Sequence, residues 1–313
     1  MNKNLVYVAL QQFCEEDEAP RRILSEAGCE IRQNLLGRRL RKEEMPQLLA
    51  GADAVLAGVE PYDAALFKAL PRLRCISRCG AGTDAVDLDA ARLHGITVCT
   101  TPDETVEPVA QMTMAMIFAL ARNFPLHLAD FRDGNWKKRT GFLLSEWTIG
   151  LVGFGRIGKT VARYLQPFGP RLLVCDPVLR EGDPSIPAGI ELRPLESLLA
   201  ESDLVSLHAD RRPDQGALIG PKQFERMKQG SRLVNTSRGY LLDEGALGVA
   251  LESGRLSGAA LDVFETEPYT GLLTGLPNVL CTPHVATLTR ASRAAMERRC
   301  AQNVVDFFAW VPR

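Results

Sequence analysis

The stretch from Thr148 to Asp176 constrains this chain more than any other. A short apolar run, Ile149 to Val152, leads directly into Gly153-Phe154-Gly155-Arg156-Ile157-Gly158. A helical pattern of Val161, Ala162, Tyr164, Leu165 and Phe168 follows, and a second apolar run, Leu172 to Cys175, ends on Asp176. Strand, glycine turn, helix and strand in that order are the context that a glycine fingerprint for a dinucleotide requires. Here Gly153 permits the tight turn, Gly155 lets backbone approach a pyrophosphate, and Gly158 lets helix and strand pack closely. The helix N-terminus, beginning at Arg156 and Ile157, offers N–H groups that lack an intrahelical acceptor and a partial positive charge to the phosphates. Asp176 stands 18 residues past Gly158, at the end of the second strand, where a carboxylate accepts hydrogen bonds from ribose hydroxyls. Its charge repels a 2′-phosphate, so the expected cofactor is NAD and not NADP. Glycine-rich turns also exist for packing alone; the two strands and the acid select the ligand reading.

At 313 residues the chain is long enough for two domains, each with its own core. The formal net charge is −1, and no run of like charges appears, so neither nucleic acid nor a membrane surface is an expected partner. Met1 to Gln11 lacks a long apolar core and a cleavage site, so no signal peptide is expected. The longest apolar stretch, Val109 to Ala121, is interrupted by Gln111 and Thr113 and is too short to span a bilayer. Eight cysteines are scattered without metal-ligand spacing, several of them inside apolar runs. That pattern fits reduced cytoplasmic thiols and predicts no metal site.

Short apolar runs alternate with helical patterns throughout, which predicts a parallel α/β architecture. In the first hundred or so residues the predicted strands are Val6–Leu10, Ala54–Leu56, Leu73–Ser77 and Thr97–Cys99. Helices are predicted over Glu18–Ala27, Glu43–Ala50, Ala64–Leu70 and Leu88–His94. A helix from about Glu107 to Arg122 is apolar on nearly every side and must be covered all round. Burial within one domain and a place in a hinge or dimer contact both satisfy that demand. Strands at Leu204–Leu207, Arg232–Asn235, Gly258–Leu261 and Val279–Cys281 join the first two to make six, the number in a complete doubly wound dinucleotide fold. The tail, Arg290 to Trp310, is helical by pattern and is expected to return to the N-terminal domain. The predicted domains are therefore 1–101 plus 286–313, discontinuous and flavodoxin-like, and an inserted Rossmann-type domain, 102–285.

In an open parallel sheet the ligand lies beyond the carboxyl ends of the strands. Those ends carry the Gly153 turn, Asp176, His208, Thr236-Ser237-Arg238, Asp262 and Pro283-His284. Polar residues at every strand end on one rim are harder to explain by packing than any one alone. Arg238, with Gly239 behind it, can hold a carboxylate through two parallel hydrogen bonds, which lysine cannot imitate. His284 is a candidate acid/base because Glu267 is a candidate partner; a carboxylate on one ring nitrogen fixes the tautomer and favours imidazolium. A lone histidine is more often structural, and His208 reads equally as a strand cap. His94 and His127 sit in helical patterns and receive no role. Glu265 reads as part of a solvated acidic turn.

At this point the chain resembles the D-isomer-specific 2-hydroxyacid dehydrogenases, nearest the phosphoglycerate dehydrogenase branch. The fingerprint with Asp176, Asn235-Thr236-Ser237-Arg238-Gly239, Asp262-Val263-Phe264-Glu265-Thr266-Glu267-Pro268 and Thr282-Pro283-His284 look like that family's successive motifs. So does Arg78-Cys79-Gly80-Ala81-Gly82-Thr83-Asp84 in the first domain. The resemblance implies an NAD-dependent enzyme that interconverts a D-2-hydroxy acid and its 2-oxo acid. It implies that Arg238 binds the substrate carboxylate and carbonyl, that His284 is the acid/base, and that Glu267 orients and charges it. Asp262 would hold the nicotinamide carboxamide, with His208 and Thr236 among the cofactor contacts. Gly80, Ala81 and Gly82 would offer backbone N–H groups to the substrate carboxylate. A homodimer paired through the NAD domain is expected.

Departures fall around the substrate: Ala85 where the family pattern has Asn, Asp103 where it has Gly, Gln111 where it has Glu. Glu60 lies in the loop that phosphoglycerate enzymes use near the substrate phosphate, where a carboxylate repels. An unphosphorylated acid is therefore expected, with 3-phosphoglycerate and 3-phosphohydroxypyruvate as the alternative pair. Two other activities compete: an NAD-sensing, non-enzymatic interaction protein of the same fold, and a formate dehydrogenase. The second needs no acid/base pair, so an intact His284 and Glu267 argue against it.

Overall fold

A computed structural model describes residues 3–210 and 216–310. The chain divides into two compact units, Met1–Thr105 with Thr287–Arg313, and Val106–Ala286. The first unit holds strands β1 (Leu5–Val8), β2 (Glu30–Gln33), β3 (Ala54–Ala57), β4 (Cys75–Arg78) and β5 (Thr97–Cys99). They pair in parallel in the order β2-β1-β3-β4-β5, the flavodoxin-like arrangement. β1 and β3, apolar throughout, are buried throughout, as two-sided helix cover demands. β2 was missed by sequence reasoning: Glu30-Ile31-Arg32-Gln33 is mostly polar because it is an edge strand that pairs only with β1. The last helix, Arg290–Trp310, buries Met296, Cys300, Val304 and Phe307 in the same core as β1 and β3. That burial returns the chain end to the first unit.

The second unit holds β6 (Thr148–Val152), β7 (Arg171–Cys175), β8 (Ile190–Leu192), β9 (Leu204–Leu207), β10 (Ser231–Asn235), β11 (Leu256–Leu261) and β12 (Val279–Cys281). All pairs are parallel, in the order β12-β11-β10-β9-β6-β7-β8. The sheet has seven strands, not the six read from the sequence. The seventh, β8, is Ile190-Glu191-Leu192 on an edge, and its central glutamate breaks the apolar run that marks the other short edge strands. Its place is braced by Arg171, which reaches Glu191 and Glu201, each at 2.8 Å. β6 has β7 on one side and β9 on the other, so the crossovers change direction there. The glycine fingerprint thus follows the strand at the switch point, where parallel sheets open a crevice.

The helix Val106–Ala121 finds its cover inside this unit. Ala110, Met114, Met116, Ile117 and Leu120 are buried in the core shared with β6 and the helix Arg156–Leu165. Its apolar girth is therefore core packing. The helical pattern around His127 is the helix Phe124–Arg132, which leaves Phe124, Leu128 and Phe131 exposed. Among the described residues no helix is long and apolar enough to cross a membrane. Nor does any group of three or more His, Cys, Asp and Glu side chains converge as for a metal.

His208 follows β9 directly. Its Nε2 meets Ser206 Oγ at 2.9 Å, while Nδ1 is buried without a hydrogen-bond partner among the described residues. Burial disfavours the charged ring and takes its pKa down to about 4. The unfolded chain, with an ordinary histidine pKa of about 6.5, takes up this proton first as pH falls. The folded state should therefore lose roughly 1–3 kcal/mol between about pH 6.5 and 4, and His208→Asn should abolish that part of the loss. Urea midpoints across this range check it; parallel wild-type and variant curves would count against it.

Candidate active site and cofactor cleft

A cleft of about 1220 Å³ opens at the carboxyl ends of β6, β7 and β9. Gly153, Gly155, Asp176 and His208 all line it, as do Val178, Arg193 and Leu241. Gly153 has φ +93°, and a Cβ there would lie 2.5 Å from the carbonyl of His208. A Cβ on Gly158 would lie 2.3 Å from the oxygen of Gly153, so strand and helix meet through hydrogen atoms alone. At Gly155 a Cβ would meet nothing within 4 Å, so this backbone is open to the cleft. Ile157 turns its side chain into the core, while Arg156 is exposed at the start of the ten-residue helix Arg156–Leu165. The first-turn N–H groups of a helix have no intrahelical partner, and its N-terminus favours an anion.

Asp176 carries two tasks. Its Oδ2 accepts the N–H of Phe154 at 2.8 Å and its Oδ1 that of Val178 at 3.0 Å. It thereby ties the fingerprint turn to the loop after β7, and a carboxylate retains lone pairs for ribose hydroxyls. Open backbone at Gly155, a helix start and an acid on the facing strand end fit a dinucleotide. Thr236 presents less than expected: its hydroxyl is turned into the core, 2.8 Å from that of Thr113.

Away from this cleft's lining, the ends of β10, β11 and β12 gather the acid/base residues. Asn235 Nδ2 donates to the carbonyl of Arg238 at 2.8 Å and its Oδ1 accepts from Ser237 N, which shapes the loop that presents Arg238. A Cβ on Gly239 would lie 1.8 Å from the carbonyl carbon of Phe264, so only glycine can follow Arg238 here. Leu241, two residues beyond Gly239, is a wall of the cofactor cleft, which places the Arg238 turn at its margin. After β11, Glu267 accepts the N–H of Phe264 at 3.2 Å on Oε1. His284 Nδ1 lies 2.9 Å from Oε2 and 3.1 Å from Oε1 of Glu267. A carboxylate only accepts, so Nδ1 carries the proton of this bond and Nε2 is left for other chemistry.

Asp262 is fully buried and bonds to Thr282, Val285 and Ala286. Thr282 was quoted in a motif but given no role; a hydroxyl two residues before a strand-end histidine was the available signal. In the first unit, the N–H of Gly80 is donated to Thr101 Oγ1 at 2.8 Å, and its carbonyl accepts from Thr101 N at 3.0 Å. Of the Gly80–Gly82 loop, that leaves the N–H groups of Ala81 and Gly82 unengaged among the described residues. Glu60 does not project: it is 3% exposed, and Oε2 accepts the N–H of Gly58 at 3.0 Å. Burial pushes its carboxyl up, and Arg39 and Arg78 pull it back.

The model for the D-isomer specific 2-hydroxyacid dehydrogenase, NAD binding domain, matches residues 114–286. A glyoxylate reductase of Korarchaeum cryptofilum is 40% identical over 256 residues, 79% of this chain and 77% of that protein. The human D-3-phosphoglycerate dehydrogenase is 35% identical over 298 residues, 93% of this chain and 54% of that one; the chain thus spans about half its length. Among solved structures, the TT0316 protein of Thermus thermophilus superposes with a TM-score of 0.87 at 34% identity, covering 98% of this chain and 97% of that one. The D-lactate dehydrogenase of Aquifex aeolicus, solved with NAD and lactic acid, gives a TM-score of 0.82 at 28% identity, covering 98% and 96%. The chain belongs to the D-isomer specific 2-hydroxyacid dehydrogenases, a family of NAD-dependent oxidoreductases, and residues 114–286 match its NAD-binding domain.

Proposed function

We propose that the protein interconverts a small, unphosphorylated D-2-hydroxy acid and its 2-oxo acid, with His284 as acid/base. The observation that carries this reading is the bond between His284 Nδ1 and Glu267 at 2.9 Å. NAD, held by the Gly155 turn, the start of the helix Arg156–Leu165 and Asp176, supplies the hydride acceptor, and its reduced form the donor. In the reducing direction His284 gives its Nε2 proton to the carbonyl oxygen, and Glu267 stabilises the cation beforehand. Arg238 pairs with the substrate carboxylate and stabilises negative charge gathering on that oxygen. Ala81 and Gly82 are our further candidates for the carboxylate. The eight free cysteines fit a reducing compartment, and we assign the protein to the cytoplasm.

The substrate class rests on two supports. The relative at 40% identity is named a glyoxylate reductase. Glu60, although buried, stands within electrostatic reach of Arg78, whose guanidinium packs against Gly80. An already compensated arginine attracts a second anion, such as a phosphate, less strongly.

We also propose a homodimer through the second unit. Phe124, Leu128, Phe131, Leu143 and Trp136, the last 80% exposed, sit along one helix and the segment after it. So much apolar surface in one segment marks an interaction site. Sedimentation should give twice the mass of one chain, and a monomer at micromolar concentration would exclude the dimer.

His284→Ala should lower turnover by about 10²–10⁴-fold with NADH binding nearly intact. Glu267→Gln keeps a hydrogen-bond acceptor but loses the charge, and should lower it by about 10–100-fold. Steady-state rates with NADH fluorescence titrations check both; a His284→Ala enzyme of wild-type rate would remove the histidine from the chemistry. Substrate and cofactor are read together by turnover of glyoxylate, hydroxypyruvate, longer 2-oxo acids and 3-phosphohydroxypyruvate with NADH and with NADPH. NADH and an unphosphorylated acid should give the highest kcat/KM. Preference for the phosphorylated acid would overturn the substrate class, and equal use of NADPH the role of Asp176. If no acid turns over while NADH binds, the protein is an NAD sensor.

A further inference from the structure

His284 has φ +53°, the left-handed region that a residue with a side chain occupies only when its surroundings hold it there. Groups on both sides of it converge on one residue, Asp262. Asp262 Oδ1 accepts the N–H of Val285 at 2.9 Å and the hydroxyl of Thr282 at 2.5 Å. Its Oδ2 accepts the N–H of Ala286 at 2.9 Å, and its main-chain carbonyl accepts the N–H of His284 itself at 2.9 Å. Pro283 has no N–H to give. The residues flanking the histidine, and the histidine, are thus bonded to a single aspartate.

A carboxylate suits this arrangement, since it accepts at both oxygens and donates nothing. Of its roughly four acceptor positions, the turn takes three, from Thr282, Val285 and Ala286. Asparagine would aim an NH2 group at one of those donors and lose at least one bond. We infer that Asp262 and Thr282 are positioning residues that hold the His284 backbone so that Nδ1 meets Glu267 and Nε2 is presented to the substrate. The inference rests on the acid/base reading of His284. It differs from a role for Asp262 in gripping the nicotinamide carboxamide, because it locates the effect of Asp262 in proton transfer and not in cofactor affinity.

The experiment uses the full chain with NADH and glyoxylate, comparing Asp262→Asn, Thr282→Val and Thr282→Ser. The Cε1 proton resonance of His284, assigned with His284→Gln, is followed by NMR in each. Asp262→Asn should lower kcat about 10²-fold and leave the NADH Kd within about threefold, since a displaced acid costs rate and not cofactor contact. Thr282→Val should lower kcat about tenfold with KM for glyoxylate unchanged and should move the His284 resonance. Thr282→Ser keeps the hydroxyl and should restore both to near wild type. Two results would overturn the inference. One is an Asp262→Asn enzyme whose NADH Kd rises tenfold or more while kcat at saturating NADH holds. The other is a Thr282→Val enzyme unchanged in kcat and in the His284 resonance. If Asp262→Asn does not fold, the two Thr282 variants decide. If the wild type turns over no 2-oxo acid, the proposed function fails separately. The His284 resonance then decides alone: moved in Thr282→Val and restored in Thr282→Ser supports the clasp, and unmoved overturns it.

Discussion

Three neighbouring strands of the second unit, β10, β11 and β12, end level with one another. Asn235 stands opposite Leu261, and Leu261 opposite Cys281. The rungs run one residue further: Asp262 N–H donates to Asn235 O at 3.0 Å, and Thr282 N–H to Leu261 O at 2.9 Å. Arg238, Asp262, Glu267 and His284 all depart from these three ends within a few residues. A one-residue slip in either pairing would turn every side chain on that strand to the other face. Parallel pairing in this register is therefore what the acid/base group depends on. It is secured by burial: Leu233, Val234, Ala259, Ala260 and Leu261 are all almost wholly inaccessible.

The loops at this rim lie outside the ladder, and carboxylates satisfy their N–H groups. Asp176 does so for Phe154 and Val178, Asp262 for Val285 and Ala286, Glu267 for Phe264. In the first unit Glu60 does it for Gly58, and Glu297 for Cys14. Buried N–H groups must find partners, and an acceptor-only side chain meets several at once. Acids that read as ligands from the sequence are thus also what shapes their loops.

The sequence disclosed what repeats and what alternates. Apolar runs located β1, β3, β6, β7, β9 and β10 because two-sided burial leaves few polar positions at their centres. β2 and β8 escaped because charged residues interrupt them, Glu30 and Arg32 in one and Glu191 in the other, and nothing in their pattern separates them from loop. The fingerprint and Asp176 were legible through fixed spacing along one strand-turn-helix unit. The pairing of His284 with Glu267 was legible because both follow adjacent strand ends. The inward turn of Glu60 and the hydroxyl bond of Thr236 to Thr113 were not, since side-chain direction in a loop depends on distant neighbours. The bonds of Asp262 escaped for the same reason: its partners lie more than 19 residues further along the chain.

The turn around His284 is built almost wholly from main-chain donors. Val285 and Ala286 meet Asp262 through their N–H groups, which leaves the half-buried side chain of Val285 the freer of the two, since Ala286 is 5% exposed. Proline is the exception, since at either position it would delete the donor whatever its shape or hydrophobicity. Tolerance along this segment is consequently set by amide hydrogens at both positions and, at buried Ala286, by side-chain volume as well. A survey of permitted residues there would find latitude at Val285, small residues at Ala286, and one imino acid forbidden at both.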